Sequence, residues 1–202
     1  RIYVTFPETL AHLRPGKGIL TGTPIRSELF SGAKSRGLTI CGFTPAKPVL
    51  MVLGGSLGAA NINRWVRSAL SRLLNSFQIV HLCGKGNLEQ SFEGTPGYKQ
   101  FEYVTQELPD LFAAADIVVS RAGANAIFEL LALRKPSLLI PLPKGASRGD
   151  QILNARSFEK QGYCKFLLDE EMNETTLIEQ IESLYADRDK LVMMMEDSKV
   201  KN

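Results

Sequence analysis

From Val49 onward, short runs rich in β-branched residues alternate with segments whose apolar residues recur at helical spacing, and this alternation narrows the possible folds most. Residues 49–53, 78–82, 99–104, 117–120, 137–141 and 164–168 read as strands, and most of the intervals between them read as helices. Strands that arrive singly, each followed by a helix, pair in parallel through right-handed crossovers. The expected class is therefore α/β, a Rossmann-like domain built on a parallel sheet. In one interval Ile62, Trp65, Val66, Ala69, Leu70 and Leu73 share a helical stripe while Arg64, Arg67 and Arg72 lie off it. That helix is expected to cover the sheet and turn its cations to water, with Trp65 in the core rather than serving as a ligand platform. No internal repeat or low-complexity segment interrupts the pattern.

The first 48 residues read differently. Residues 2–6 and 18–21 have strand character, but Pro7, Pro15, Pro24, Pro45 and Pro48, with several glycines, cut the stretch into short pieces. Two strands alone bury little, so residues 1–25 are expected to be the remnant of a preceding domain. Residues 26–48 are read as a linker and residues 49–202 as the main domain. A start at Arg1, inside a strand-like run, reads as the interior of a longer chain.

With 202 residues and 44% apolar content, the chain has enough material for one sizeable α/β core. No apolar run reaches the roughly 18 to 20 residues of a membrane-spanning helix, and the first residues do not form a secretory signal. Cys41, Cys83 and Cys164 lie far apart without metal-type spacing, and read as reduced, mostly buried thiols. The net charge of +3 is unevenly spread: residues 1–75 hold 10 Lys and Arg against 2 Asp and Glu, leaving 14 against 19 in the rest. A basic first third suits an anionic lipid surface or an anionic substrate, or is simply a solvated face.

Four motifs carry chemistry. Gly54-Gly55-Ser56-Leu57-Gly58-Ala59 follows a buried-type strand and precedes an amphipathic helix, where small residues let backbone N–H groups and the helix dipole meet an anion. A tight turn without a ligand is the alternative. The nucleophile-elbow pattern in these residues fails, because neither histidine completes a triad: His12 precedes Ser56, and no acid separates Ser56 from His81. A dinucleotide fingerprint fails as well, since the glycine spacing is wrong and the second strand ends His81-Leu82-Cys83 rather than at an acid. The second motif, from Ser120 to Glu129, opens another helix with small residues at Ala124, Asn125 and Ala126. Glu129 lies among Ile127, Phe128, Leu130 and Leu131, so its carboxylate needs a partner, either a sugar diol or a salt bridge. The third, Pro143 to Gln151, runs into a helix where Asp150 suits a cap and Gln151 offers an amide to hydroxyl groups. The fourth, Thr21 to Arg26, is a bend that delivers an arginine, whose planar fork matches phosphate.

Taken in order, Gly22-Thr23-Pro24-Ile25-Arg26, Gly54 to Ala59, Ser120 to Glu129 and Asp150-Gln151 with Asn154-Ala155 resemble the MurG family, the bacterial undecaprenyl-diphospho-muramoylpentapeptide β-N-acetylglucosaminyltransferases. The likeness runs through essentially the whole chain, and Ser147-Arg148-Gly149-Asp150-Gln151 is similar to the form found in Gram-positive bacilli. The resemblance implies the C-terminal, UDP-sugar-binding half of a GT-B glycosyltransferase, with an inverting transfer of N-acetylglucosamine from UDP-N-acetylglucosamine to lipid I. It implies that Gly55, Ser56, Gly58 and residues Ala124, Asn125 and Ala126 hold the diphosphate. It places Glu129 on the ribose, Asp150 and Gln151 on the sugar hydroxyls, Arg26 near the nucleotide and the backbone of Val104 on the uracil edge. It also implies no cofactor or metal, no nucleic-acid partner, and a peripheral location on the cytoplasmic face of the membrane. The catalytic base and acceptor site are expected in the preceding domain, so an isolated fragment is expected to be inactive. Alternatives are a donor-binding subunit of a split glycosyltransferase and another UDP-sugar enzyme of the same architecture.

Overall fold

The computed structural model describes residues 1–54, 60–143, 145 and 149–198. The chain opens with β1 (Ile2–Val4), a four-residue helix α1 (Pro7–Leu10) and β2 (Gly18–Leu20). β1 and β2 pair in parallel as a separate two-stranded ribbon, with Ile2 opposite Gly18 and Val4 opposite Leu20. The ribbon buries little: Tyr3 is 67% exposed. The segment rests on the remainder of the chain through Phe6, whose ring meets Phe128 edge-on at 5.4 Å, and through Glu8, which accepts a 2.8 Å hydrogen bond from the Ser157 hydroxyl.

The segment expected as a linker holds regular structure. A 3-10 turn (Ser27–Ser31) leads into helix α2 (Lys34–Cys41), which ends at Gly42 with φ 69°, the left-handed conformation that glycine adopts cheaply. β3 (Val49–Leu53) follows, then α3 (Ala60–Ser68), α4 (Leu70–Ser76) and β4 (Gln78–Leu82). A 3-10 turn (Gln90–Phe92) precedes β5 (Tyr98–Phe101) and α5 (Leu108–Ala114). Next come β6 (Ile117–Ser120), α6 (Ala124–Ala132), β7 (Ser137–Leu139), α7 (Asp150–Lys160) and β8 (Lys165–Phe166). The chain closes with a 3-10 turn (Asp169–Glu171), α8 (Glu174–Ala186) and α9 (Arg188–Glu196).

The main sheet has six strands in the order β5-β4-β3-β6-β7-β8, every pair parallel. The central strand β3 is covered on both faces, so Val49, Leu50, Met51 and Val52 are all buried and polar alternation is absent. Three of the six expected strands match their observed bounds. The others are shorter at one or both ends, because β5, β7 and β8 pair over fewer residues toward the sheet's flanks.

α2 lies against α5, and two glycines permit that approach. A Cβ on Gly37 would lie 2.1 Å from the Asp110 carbonyl oxygen, and one on Gly32 would lie 2.0 Å from that of Pro109. Asp110 accepts from Arg36 Nε at 2.9 Å and from the backbone N–H of Ala33 at 2.8 Å, and the guanidinium foremost, then the amide, holds its carboxyl below the usual carboxylate range. At the amino edge of the sheet Asp116 accepts from Val49 N at 2.8 Å and from Lys34 Nζ at 2.9 Å.

One orientation expected from the helical stripe is corrected. Arg67 does not point to water: it folds across the carboxyl end of β4, donating to Gln100 Oε1 at 2.8 Å and to the Asn87 carbonyl. Trp65 packs against the core but stays half-buried, with the Arg64 guanidinium 4.6 Å from its ring centroid. The helical pattern is also divided at Ala69 into α3 and α4. Cys83 and Cys164 are buried and Cys41 is half-buried, all as free thiols; burial pushes the Cys41 thiol up to about 11.

Candidate functional site

The strand order identifies one place where the winding reverses. β3 passes outward through α3 to β4 on one side, whereas β6, its other neighbour, leads through α6 to β7 on the other side. Connections that leave two adjacent parallel strands in opposite directions open a crevice beyond their carboxyl ends, which is where open α/β sheets hold ligands. The first two motifs lie at those two strand ends. β3 runs out at Leu53, and Gly54 N still donates to the Leu82 carbonyl at 3.1 Å. Gly55, Ser56 and Gly58 lie outside the described residues. β6 ends at Ser120, and α6 begins four residues later.

The start of α6 has the properties of an anion site. Gly123 is its N-cap and has no side chain to occupy the first N–H groups. Ala124 and Ala126 are small and half-buried, and Asn125 is exposed. The first helical bond closes from Ile127 N to the Gly123 carbonyl at 3.1 Å, so the earlier amides have no intrahelical partner and stand at the positive end of the helix dipole.

Glu129, one turn further along α6, has a partner. Arg26 Nε lies 3.0 Å from Glu129 Oε1, so the structure brings together two candidate residues 103 positions apart. Glu129's side chain is 16% exposed and Arg26's is 56% exposed, so the acid is held by the scaffold while the arginine reaches in from solvent. A pair so open on one side contributes at most about 1 kcal/mol, which makes its exchange for another partner inexpensive.

The described end of the third motif, Gly149 to Gln151, lies on the next side of the crevice. Gln151 accepts from Leu142 N at 3.1 Å, and Asn154 Nδ2 donates to the Ala122 carbonyl at 3.1 Å. These two amides tie α7 to the exits of β7 and β6. Asp150 is exposed in the first turn of α7, and the cap position belongs to Gly149 with φ 83°. Asp150 therefore complements the helix dipole without being the N-cap residue. Beside it, a cleft of about 500 Å³ lies between α1 and α7, with Thr9, His12, Asn154 and Lys160 among its walls. On the other flank, Val104 is 7% exposed just after β5, and the preceding Tyr103 is 79% exposed. Among the described residues, no three His, Cys, Asp or Glu side chains converge to hold a metal ion.

A buried polar chain joining β4, β5 and α3 escapes sequence reasoning, which used His81 only to reject a catalytic triad and a dinucleotide fingerprint. His81 Nδ1 lies 2.8 Å from the Tyr98 hydroxyl and Nε2 lies 2.8 Å from Asn63 Oδ1, while Asn63 Nδ2 donates to the Cys83 carbonyl at 2.9 Å. Because Asn63 donates through its nitrogen, its oxygen accepts; the proton of neutral His81 then sits on Nε2, and Tyr98 donates to Nδ1. Burial, with Arg67 nearby, lowers the His81 pKa to about 3, and burial raises the Tyr98 hydroxyl to about 12. Both groups stay neutral, and the chain fixes α3 against β4 where α3 emerges toward the crevice.

A doubly wound parallel sheet with small-residue sequences after both strands at its switch point has the layout of the α/β class whose members hold ligands beyond their strand ends. Comparison with known proteins narrows this class. The glycosyltransferase family 28 C-terminal domain model matches residues 49–202, and the chain belongs to that family. It is 57% identical over 198 residues to a protein of Lachnospira eligens named UDP-N-acetylglucosamine--N-acetylmuramyl-(pentapeptide) pyrophosphoryl-undecaprenol N-acetylglucosamine transferase, covering 98% of this chain and 56% of that relative. A Clostridium botulinum protein of the same name is 54% identical over 202 residues, the full chain and 57% of the relative. The chain thus spans little more than half the length of these relatives. Among solved structures, Acinetobacter baumannii MurG superposes with a TM-score of 0.66 at 22% identity, over 90% of this chain and 52% of that one. The kitacinnamycin glycosyltransferase superposes with a TM-score of 0.73 at 19% identity, over 97% and 49%. These two likenesses show a shared fold.

Proposed function

We propose that this chain is the donor-holding half of an inverting glycosyltransferase that moves N-acetylglucosamine from UDP-N-acetylglucosamine to a lipid-linked muramyl-pentapeptide, lipid I, on the cytoplasmic face of the membrane. The observation that carries the reading is the start of α6: a helix N-terminus free of a side-chain cap, at the switch point, with Glu129 and Arg26 paired one turn away. The names of the relatives support the donor and acceptor. In this reading residues 49–202 form the donor domain, residues 1–25 belong with an acceptor-binding part, and 26–48 join the two.

The roles follow from the chemistry of each group. The amides of Ala124, Asn125 and Ala126 and the loop of Gly55, Ser56 and Gly58 receive the diphosphate. Glu129 gives up Arg26 and accepts from both ribose hydroxyls, while Arg26 turns to the phosphates. The backbone of Val104 reads the uracil edge, and Asp150 and Gln151 face the sugar hydroxyls. In the reaction the C4 hydroxyl oxygen of the muramyl sugar attacks the anomeric carbon as the bond to the diphosphate oxygen breaks. The leaving UDP takes the electron pair, and a base outside the candidate residues takes the hydroxyl proton. The α6 dipole and Arg26 stabilise the charge that develops on the diphosphate. The basic excess of residues 1–75 suits attraction to an anionic lipid surface.

Calorimetric titration tests the donor. UDP and UDP-N-acetylglucosamine are expected to bind at one site and to compete, with the nucleotide supplying most of the affinity. Equal affinity for thymidine diphosphate sugars, or no heat with UDP, would contradict the proposal.

A further inference from the structure

Behind the candidate site lies a polar cluster that the donor reading does not use. Arg121, the residue after β6, is 8% exposed. Its Nη1 lies 3.2 Å from the Ile140 carbonyl, 3.2 Å from the Pro141 carbonyl and 2.5 Å from Asp169 Oδ1. Asp169, at the start of the 3-10 turn after β8, has a side chain only 12% exposed. Its other oxygen, Oδ2, accepts from Asn61 Nδ2 at 2.7 Å, and the same nitrogen lies 3.2 Å from the Asp169 carbonyl. Asn61 stands in the first turn of α3, directly after the glycine-rich motif. One carboxylate therefore reaches the helix that follows β3 through Asn61, the end of β6 through Arg121, and the exit of β7 through the carbonyls that Arg121 holds.

We propose that Asp169 is a positioning residue that locks the three crossovers of the donor site in one register. A nearly buried ion pair is a poor device for stability alone, since two charges lose their hydration and apolar side chains of similar size fill the same volume without that cost. What the pair supplies is direction: a planar guanidinium and a carboxylate satisfy several acceptors and donors in only one arrangement. The partners here are not scattered through the core. They are the ends of β6 and β7 and the first turn of the helix after β3, segments that adjoin most of the candidate donor residues, Arg26 and Val104 excepted. Among the described residues Asp169 bonds to no candidate ligand group, so it acts through Arg121 and Asn61.

The inference rests on the donor reading for its consequence, but its mechanical part is testable apart from it. Asp169→Leu, which fills the space without charge, and Asp169→Asn, which keeps the shape, are compared with the parent chain by backbone hydrogen exchange and by UDP titration. In Asp169→Leu, exchange is expected to rise at least tenfold at residues 60–66, at 121–127 and at Ile140 and Leu142 together, with β4 and α8 unchanged, and UDP affinity to fall at least tenfold. Asp169→Asn is expected to fall between Asp169→Leu and the parent on both measures. Faster exchange confined to residues 165–173, or uniform loosening of the whole sheet with unchanged UDP affinity, would overturn the proposal. Should the parent chain bind no UDP, the donor reading falls, and the exchange pattern alone still decides whether the three crossovers are coupled through Asp169.

Discussion

The pairing of Arg26 with Glu129 resolves a question that a single acid in an apolar helix leaves open. Glu129 sits among Ile127, Phe128, Leu130 and Leu131, all buried, and its carboxylate has a cationic partner at 3.0 Å. The salt bridge and the proposed ribose contact are compatible, because the arginine side chain is more than half exposed and can swing away. Glu129→Ala is expected to weaken UDP binding tenfold or more, in line with about 1.5 to 3 kcal/mol for a charged hydrogen bond, while the domain stays folded. Normal UDP affinity with a lowered melting temperature would assign Glu129 to the ion pair alone. His81 gives a second prediction at this scale. Its folded pKa of about 3 lies below its ordinary value of 6.5, so the unfolded chain binds a proton first as pH falls. The associated stability is present above pH 6.5 and is lost between pH 6.5 and 3, on the order of 4 to 5 kcal/mol for a shift of that size. Urea midpoints measured across that range are expected to drop with pH, and a His81→Asn variant to drop less steeply; equal slopes would show that His81 does not carry the dependence.

Among the elements, what the sequence reveals depends on whether the signal is local. The buried strands were legible because a parallel strand covered on both faces must be largely apolar, with a polar group such as His81 held only where it is paired, and β3, β4 and β6 match their expected bounds. The small-residue helix start of α6 was legible for the same reason: its chemistry lies in consecutive residues. α2 was not, because Gly37 stands inside it and its apolar stripe is weak; α5 supplies the surface that makes it a helix. Arg67 looked solvent-facing because the carbonyl and amide that hold it come from Asn87 and Gln100. The Asn61, Arg121 and Asp169 cluster has no sequence signal, since three residues spread over 108 positions meet only in the folded chain. The α2–α5 contact carries its own test. Ala in place of Gly37 would gain up to about 1 kcal/mol of helix propensity, but its Cβ meets the Asp110 carbonyl, and overpacking of this kind costs about 1 to 3 kcal/mol or more. Gly37→Ala is therefore expected to lower the melting temperature, and a raised one would show that α2 does not dock this closely.

For the molecule as a whole, the two outer strands and the six-stranded sheet differ in kind. The sheet has a continuous core, whereas the β1–β2 ribbon exposes Ile2, Tyr3 and Leu20. Transfer requires donor and acceptor held together, and that positioning accounts for about 7 to 11 kcal/mol of a barrier. The proposed donor wall by itself is thus expected to bind UDP-N-acetylglucosamine without turning it over. Transfer to a lipid-linked muramyl-pentapeptide by these 202 residues at the rate of a full-length relative would place the base within them, with His12, exposed in the cleft beside Asp150, the first residue to test. The central claim is narrower: the crevice beyond β3 and β6 holds the donor nucleotide. Amide chemical shifts recorded while UDP-N-acetylglucosamine is added test this most directly. The largest changes are expected at Gly123 to Glu129, beside Val104 and at the start of α3. Changes clustered instead at the amino edge of the sheet, around Lys34, Val49 and Asp116, or an unchanged spectrum at saturating donor, would contradict it.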